Sequence, residues 1–580
     1  MGPSGCGKTT LLNALSRRGR VTAGEVRYGE SGSLWSKKLK RKVALVEQDD
    51  CLFPMLTVRE QIRYSAALRL PSLSPKERED RAQALIETLR LDKCAETAVG
   101  DSSVVEKRGV SGGERKRLSI ALQLLTLPAL LFCDEPTSGL DSSITLSVVE
   151  ALKDLTRITG VTVVCSIHQP SSQVFALFDK LILLNKGEAL YQGPTLEAAN
   201  RFATLGLPCP ATFGHAEWLL EALVLERFGE VELDALRAEH GVAAFAPFAR
   251  HTGAAAASAP DEKLPWLAQV RVLVSRCWKV AKGSLWSYEL ATLQLVIGLL
   301  EGLLFARIGY AEEDAAIRFR ACFIIVVKSM FFPMLNALPV IPTSEVLLRK
   351  ELAVGAYSLS AWFMPATTIP LLPDFINAAV NFVPMYWIAG VADDAGAFFL
   401  STCAIICTII CFQSIGYVFS IVSGRRSGSV TMVFMSFCFL FSGVFAPLDK
   451  IALPWIGYLN PLFYATCFVA QSVFLQGTSY EQDDASKPPK TRDEVLNDAN
   501  LYTPAGVCAA VLLGVAVLVR LLAFLLLQRK MRRVLLVQTA VHDEVPSAPK
   551  HAATVTVQAE PSPKLQPGLA GAVSANVEAV

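Results

Sequence analysis

The sequence lacks an excess of charge of either sign: 55 Lys and Arg stand against 53 Asp and Glu, a formal balance of +2. That balance leaves no basic field for a nucleic-acid partner. It also lacks paired cysteines. Fourteen are scattered singly, with no CxxC pair and no zinc-like spacing, so they read as reduced thiols in cytosolic or lipid surroundings. No secretory signal opens the chain, because a glycine-rich loop follows Met1 at once. What is present instead is apolar bulk: 52% of the 580 residues are hydrophobic, yet the first ~220 stay mixed in polarity. The length exceeds one ordinary domain, and the contrast points to a soluble unit joined to a membrane unit.

Gly2-Pro3-Ser4-Gly5-Cys6-Gly7-Lys8-Thr9 fits the phosphate-loop pattern G-x-x-x-x-G-K-[ST] at every position. The glycines let backbone amides wrap the phosphates, Lys8 adds a positive charge, and Thr9 offers a hydroxyl to Mg²⁺. From Thr10 to Leu15 the run continues as a helix whose positive end faces the anion. A second anchor is Ala129 to Cys133, a short unbroken apolar run that reads as a buried parallel strand with Asp134 and Glu135 at its exit. Asp134 is expected to hold Mg²⁺ through water, and Glu135 to act as general base on the attacking water. A phosphate loop ordinarily follows a buried strand, and only Met1 precedes Gly2. Either the start is an internal methionine or the domain lacks its first strands, and the expectation is the truncated start.

Between the anchors, Val110-Ser111-Gly112-Gly113-Glu114-Arg115-Lys116-Arg117-Leu118 resembles the signature of ABC ATPases, a variant of L-S-G-G-Q. Ser111, Gly112 and Gly113 open a helix ahead of Glu114, so a hydroxyl, free amides and a helix dipole converge on an anion. The resemblance implies that this anion is the γ-phosphate of an ATP held by another subunit, so two chains complete a pair of sites. It also implies roles in order along the chain: Gln48 in the glutamine loop that reaches Mg²⁺ and the attacking water, Asp141 in the D-loop at the dimer seam, and His168 as the switch histidine. The family's adenine-stacking aromatic residue, which lies upstream of the phosphate loop, is absent.

The domain expected over residues 1–225 is followed by a linker over 226–263, with an alanine run from Ala254 to Ala257. Trp266 to Lys282 interleaves apolar residues with Arg271, Arg276, Lys279 and Lys282, the pattern of an amphipathic helix on a cytosolic membrane surface. Six apolar segments then approach the ~20 residues a span needs: Leu290–Ile308, Ala321–Ile341, Trp362–Ile388, Phe398–Val422, Val430–Phe445 and Ala505–Leu527. Arg349-Lys350, Arg425-Arg426 and Arg529 to Arg533 occupy alternate loops or the end, which places both termini in the cytosol. A seventh stretch, Leu453 to Phe474, is broken by Pro454, Gly457 and Pro461 and reads as a partly re-entrant or interfacial hairpin. Residues 534–580 read as a disordered cytosolic tail.

An ATPase first and six spans second is similar to ABC subfamily G, the White and breast-cancer-resistance type of half-transporter. Gln48-Asp49-Asp50, Leu56 to Glu60, Ser442-Gly443 with Pro447, Pro454-Trp455 and Asn460-Pro461 with Tyr464 carry the likeness. The chain departs from it at Ser344-Glu345 and Lys350-Glu351, in the segment that couples the two halves in the family. The expected fold is an α/β P-loop ABC ATPase domain followed by an all-α six-helix transmembrane domain. The expected function is ATP-driven export of a lipid, sterol or other apolar small molecule by alternating access, as a homodimer or heterodimer in a lipid bilayer, placed first in the plasma membrane. The alternative is a regulatory subunit that lends its signature to a competent partner. Intramembrane charge marks Lys328, with Glu301, Asp374 and Arg520, as a polar lining or as packing pairs. For Arg520 the expectation is snorkelling to an interface. Phe331, Phe332 and Phe437 are aromatic candidates for a substrate path.

Overall fold

The two polarities of the sequence fold as two units, Met1–Leu264 with Arg533–Val580, and Pro265–Arg532. The computed structural model describes residues 1–19, 21, 25–28, 42–100, 109–204, 208–210, 213–224, 264–284, 288–306, 308–309, 311–392, 394–444, 454–474, 479–480, 490–498, 501–543 and 554–557. The expected linker over 226–263 lies outside the described residues.

In chain order the first unit runs α1 (Lys8–Leu15), β1 (Glu25–Tyr28), β2 (Val43–Val46), α2 (Val58–Arg69), α3 (Pro75–Thr88), α4 (Gly112–Leu124), β3 (Leu130–Cys133), α5 (Ser142–Thr159), β4 (Thr162–Cys165), α6 (Ser172–Ala176), β5 (Lys180–Asn185), β6 (Glu188–Pro194), α7 (Ala198–Thr204) and α8 (His215–Val224). The helices begin where the sequence supplies caps. Thr57 with Glu60, Ser74 with Glu77, and Ser111 with Glu114 each close a reciprocal capping box ahead of α2, α3 and α4. Strands β2, β3 and β4 form a parallel sheet in that order, with Val46, Cys133 and Cys165 level at its carboxyl edge. β3 is buried along its whole length, as an unbroken apolar run in a parallel sheet must be. Strands β5 and β6 make a separate antiparallel hairpin. Met1, just ahead of the phosphate loop, exchanges backbone hydrogen bonds with Ile182 and Leu184 of β5.

The second unit runs α9 (Trp266–Ser284), α10 (Tyr288–Leu304), α11 (Glu312–Ala337), α12 (Val340–Val354), α13 (Leu359–Thr368), α14 (Leu371–Ala389), α15 (Ala395–Ser423), α16 (Ser427–Leu440), α17 (Pro454–Tyr458), α18 (Pro461–Val473), β7 (Ser479–Tyr480), β8 (Lys490–Thr491), α19 (Arg492–Asp498) and α20 (Ala505–Asp543). The last helix carries on through residues 534–543, beyond the boundary expected at Arg533, and β9 (Thr554–Val557) pairs in parallel with β1. The rest of the expected tail lies outside the described residues.

Among the described residues, three stretches are long and apolar enough to cross a membrane: Asp314–Val354, Ala395–Ser423 and Ala505–Arg533. They contain the second, fourth and sixth expected spans. The other three expected spans fold as shorter or divided helices. α10 has 17 residues and α16 has 14. The third span is split at Pro370 into α13 and α14, and α14 carries Asp374, Asn377 and Asn381 among its apolar residues. The seventh apolar stretch folds as α17 and α18. α18 is buried along nearly all of its length and packs against α15 and α11, so it is an internal helix of the unit and not an interfacial one. Asn460 caps it and donates from Nδ2 to the carbonyls of Cys438 (2.7 Å) and Phe441 (2.9 Å) at the end of α16.

The amphipathic reading of α9 needs one correction. Arg276 does not lie on a wet face: it is 2% exposed and forms a bidentate pair with Glu351 of α12 (2.6 and 3.0 Å), its guanidinium 5.6 Å from the Tyr357 ring centroid. Glu351, a point of departure from the family pattern, thus has a defined partner. Glu345, the other, accepts from Arg349 one turn on and from Lys530 in the basic end of α20 (2.8 Å).

Candidate functional site

The first site assembles at the carboxyl edge of β2-β3-β4. Gly5 and Gly7 adopt φ of 79° and 96°, left-handed values that turn the loop into α1. Lys8 is buried, and its ammonium donates to the carbonyls of Gly2 (2.9 Å) and Pro3 (3.0 Å), which holds the loop closed. Thr9 and Thr10 are exposed at the head of α1, with Ser4 and Gly5 exposed in the loop and Cys6 buried beneath it. Thr9 Oγ1 donates to Asp134 Oδ1 (3.1 Å), so the two oxygens expected to share a metal already meet. Gln48 Nε2 donates to Glu135 Oε2 (2.9 Å), which leaves the amide oxygen of Gln48 free of that contact. Glu135 has φ 44°, a conformation a non-glycine residue rarely holds. His168 is exposed just beyond β4, and Gln169 beside it has φ 43°.

Two residues to which the sequence assigned no role complete this site. Ser166 follows β4 and, by the parallel register, sits level with Asp134. Its hydroxyl donates to Asp134 Oδ1 (2.6 Å) and accepts from the Glu135 amide (2.8 Å), so one side chain fixes both acids. Lys116, on α4, is 4% exposed, pairs with Asp50 (3.0 Å) and donates to the Gln48 carbonyl (2.8 Å). The signature helix therefore holds the glutamine loop of its own chain.

At the start of α4, the Ser111 hydroxyl accepts from the Glu114 amide (3.3 Å), and Glu114 accepts from the Ser111 amide (2.7 Å). Against partial burial, which raises a carboxyl, these bonds hold Glu114 below the usual glutamate range. The Ser111 hydroxyl proton is not used by this box, and Ser111 and Gly112 are exposed. Gly113 is buried, and a Cβ there would lie 2.1 Å from Ile144 Cγ2, so only glycine lets α4 approach α5. Asp141 caps α5, accepting from the Ile144 amide (2.8 Å) and Ser143 Oγ (3.0 Å). Among the described residues no cluster of three His, Cys, Asp or Glu is arranged for a metal. The Thr9, Asp134 and Gln48 oxygens are the hard donors that suit Mg²⁺, an ion that keeps water and takes few protein ligands.

In the second unit, Lys328 donates to Glu301 Oε2 and Asn381 Oδ1, and Asn381 Nδ2 donates to the Gln294 carbonyl (3.1 Å). Asp374 accepts from Asn336 Nδ2 (2.8 Å) and Gln413 Nε2 (3.0 Å). Arg520 does not snorkel: it donates to Gln413 Oε1 (3.1 Å) and stacks 5.9 Å from the Tyr417 ring centroid. A cavity of about 280 Å³ lies between α10, α11, α14 and α15, with Lys328 and Phe332 on its wall. The other two aromatic candidates lie elsewhere. Phe331 packs on the helical core, and Phe437 is 40% exposed on α16 beside Phe441.

Residues 1–138 match the family model described as ABC transporter, and residues 268–474 the model described as ABC-2 type transporter. A further ABC-2 type transporter model matches residues 168–229. ABC transporter G family member 22 of Arabidopsis thaliana is 34% identical over 79% of this chain, which spans 66% of that relative, just under two thirds. Member 25 from the same plant is 30% identical over 91% of this chain and 85% of its own length. The broad substrate specificity ATP-binding cassette transporter ABCG2 of Rattus norvegicus is 30% identical over 79% of this chain and 75% of its own length.

Proposed function

Since the chain belongs to the G family of ABC transporters, we propose that it is an ATP-driven half-transporter that exports an apolar or amphipathic small molecule as a dimer. The observation that carries this reading is the convergence of Lys8, Thr9, Asp134, Glu135, Gln48 and Ser166 at one sheet edge, in a chain that also carries an ABC-2 membrane domain.

ATP places its phosphates on the amides of Gly5 to Thr10, where α1 points its positive end, and the Lys8 ammonium turns from the loop carbonyls to the phosphate oxygens. Thr9, Asp134 and the Gln48 oxygen would hold Mg²⁺, which would offset the charge on the phosphates. Water attacks the γ-phosphorus, the bond to the ADP oxygen breaks, and Glu135 takes the water's proton. Ser166 keeps Glu135 and Asp134 in register, and His168 contacts the γ-phosphate. Ser111 and the amides of Gly112 and Gly113 close on the γ-phosphate held by the second chain, so binding of ATP favours the closed dimer. The basic clusters Arg349-Lys350 and Arg529 to Arg533 support a topology with both termini on the ATPase side of the membrane.

The test is steady-state ATPase and ATP-dependent uptake by inverted vesicles carrying the full chain. Glu135→Gln is expected to lower ATPase by about a hundredfold or more and to abolish uptake while nucleotide still binds. Retention of wild-type hydrolysis by this variant overturns the assignment. Hydrolysis carried only by a co-expressed partner would instead make this chain a regulatory subunit.

A further inference from the structure

The cavity in the second unit divides by chemistry into two ends. Asp374, Asn377 and Asn381 follow one another at i, i+3 and i+7 on α14, and Lys328, Phe332 and Asn336 at i, i+4 and i+8 on α11. Each set shares one helical face. Eight residues of helix place the two ends roughly 12 Å apart. At the first end the Lys328 ammonium is neutralised by Glu301 and further bonded by Asn381.

The second end is not neutralised. Asp374 is 6% exposed and takes hydrogen bonds from two amides, Asn336 and Gln413. Among the described residues no Lys or Arg lies within ion-pair distance of it, and Arg520 reaches it only through Gln413. A buried carboxylate with donors but no counter-charge is costly in apolar surroundings. Asn377 stands one turn along on the same wall, half-buried, and its side chain makes no hydrogen bond among the described residues. Phe332, Phe382, Ile405 and Ile409 give the same cavity apolar surface.

We propose that Asp374 is the counter-ion for a cationic substrate: the cavity takes the protonated amine of a small amphipathic amine. The ammonium donates to Asp374 and to the Asn377 carbonyl oxygen, and the hydrocarbon or aromatic body lies against Phe332, Phe382 and Ile405. An anion is repelled by Asp374, and a neutral alcohol leaves the carboxylate uncompensated. The proposal rests on the transporter reading for the fate of the bound amine, whereas binding itself needs neither ATP nor transport.

The experiment measures equilibrium binding of tritiated phenylbutylamine to the full chain in lipid nanodiscs without nucleotide, with empty nanodiscs as the blank. Wild type is expected to bind saturably, and phenylbutanol to compete about tenfold less well or worse. Asp374→Asn keeps the size, removes the charge, and is expected to weaken amine binding by about tenfold and to erase the preference over the alcohol. Asn377→Leu fills the cavity without touching the partners of Asp374 and is expected to block both ligands. Thermal midpoints without ligand identify any variant that fails to fold. Should Asp374→Asn be that variant, retained amine binding by folded Asn377→Leu overturns the proposal. Equal binding of amine and alcohol by wild type, or unchanged amine affinity in folded Asp374→Asn, overturns it as well and makes Asp374 a neutral packing group. Glu135→Gln is expected to bind the amine like wild type, so a failed transport assay and a failed binding assay point to different errors.

Discussion

At the scale of the residue, the nucleotide site depends on a serine that carries no motif. Ser166 satisfies the Glu135 amide and bonds Asp134 with a single hydroxyl. Removing it strands a backbone donor, which costs about 1–3 kcal/mol, and frees both acids to rotate. Ser166→Ala is expected to lower kcat for ATP several-fold while leaving KM near wild type, read by steady-state ATPase at saturating and limiting nucleotide. A fall in affinity with kcat unchanged would place Ser166 outside the acid pair's support. Lys8, Thr9, Asp134 and Glu135 were legible because each lies in a short pattern whose spacing is itself the chemistry. Ser166 and Lys116 were not, because their roles depend on strand register and on which loop a helix covers. A partial signal existed for Ser166: a small polar residue ends one apolar strand, and the acid pair ends another. Asp141 shows the converse case, since its place in the series named a seam while its side chain caps α5.

At the scale of the element, the helices show where apolar periodicity stops being informative. The second, fourth and sixth spans were legible as long apolar runs, and they fold as such. The third reads as one span through Pro365 and Pro370, yet it divides into α13 and α14. Leu453 to Phe474, broken by prolines, reads as re-entrant or interfacial, and the burial of α18 by tertiary packing removes the interfacial alternative. The helix α9 was legible in extent and misread in one residue. Arg276 falls at a polar position of an amphipathic pattern, and only the fold brings Glu351 and Tyr357 to it. Breaking one side of such a buried pair costs roughly 3–5 kcal/mol, whereas replacing both partners with apolar residues costs far less. Arg276→Ala is accordingly expected to lower the thermal midpoint of the purified chain sharply, and Arg276→Met with Glu351→Leu to recover most of it. Equal losses in the single and double variants would show that the pair does not hold α9 to α12.

At the scale of the whole molecule, the division into an ATPase unit and a helical unit was legible from composition alone, since polarity shifts once along the chain. The interior of the helical unit was not, because its polar groups meet across helices far apart in sequence: Glu301 with Lys328, and Asp374 with Gln413. The first of these pairs bears on how the protein is made. Lys328 at the middle of a span carries an insertion penalty of about 2.5–3.5 kcal/mol, and Glu301 burdens α10 in the same way. Neither helix is a good client of the translocon alone, and both become acceptable once they lie side by side with the charges joined. Glu301→Gln is therefore expected to reduce the fraction of chains whose α11 is integrated, read by glycosylation of an acceptor placed after Val354, which becomes accessible to the lumen only when the Asp314–Val354 stretch fails to cross. Glu301→Leu with Lys328→Met restores it, and unchanged integration in the single variant would show that α11 enters independently. If α10 and α11 integrate only as a pair, then α10, which emerges first, must wait at the membrane's threshold for α11, and biogenesis acquires a sequence of events that the finished fold no longer displays.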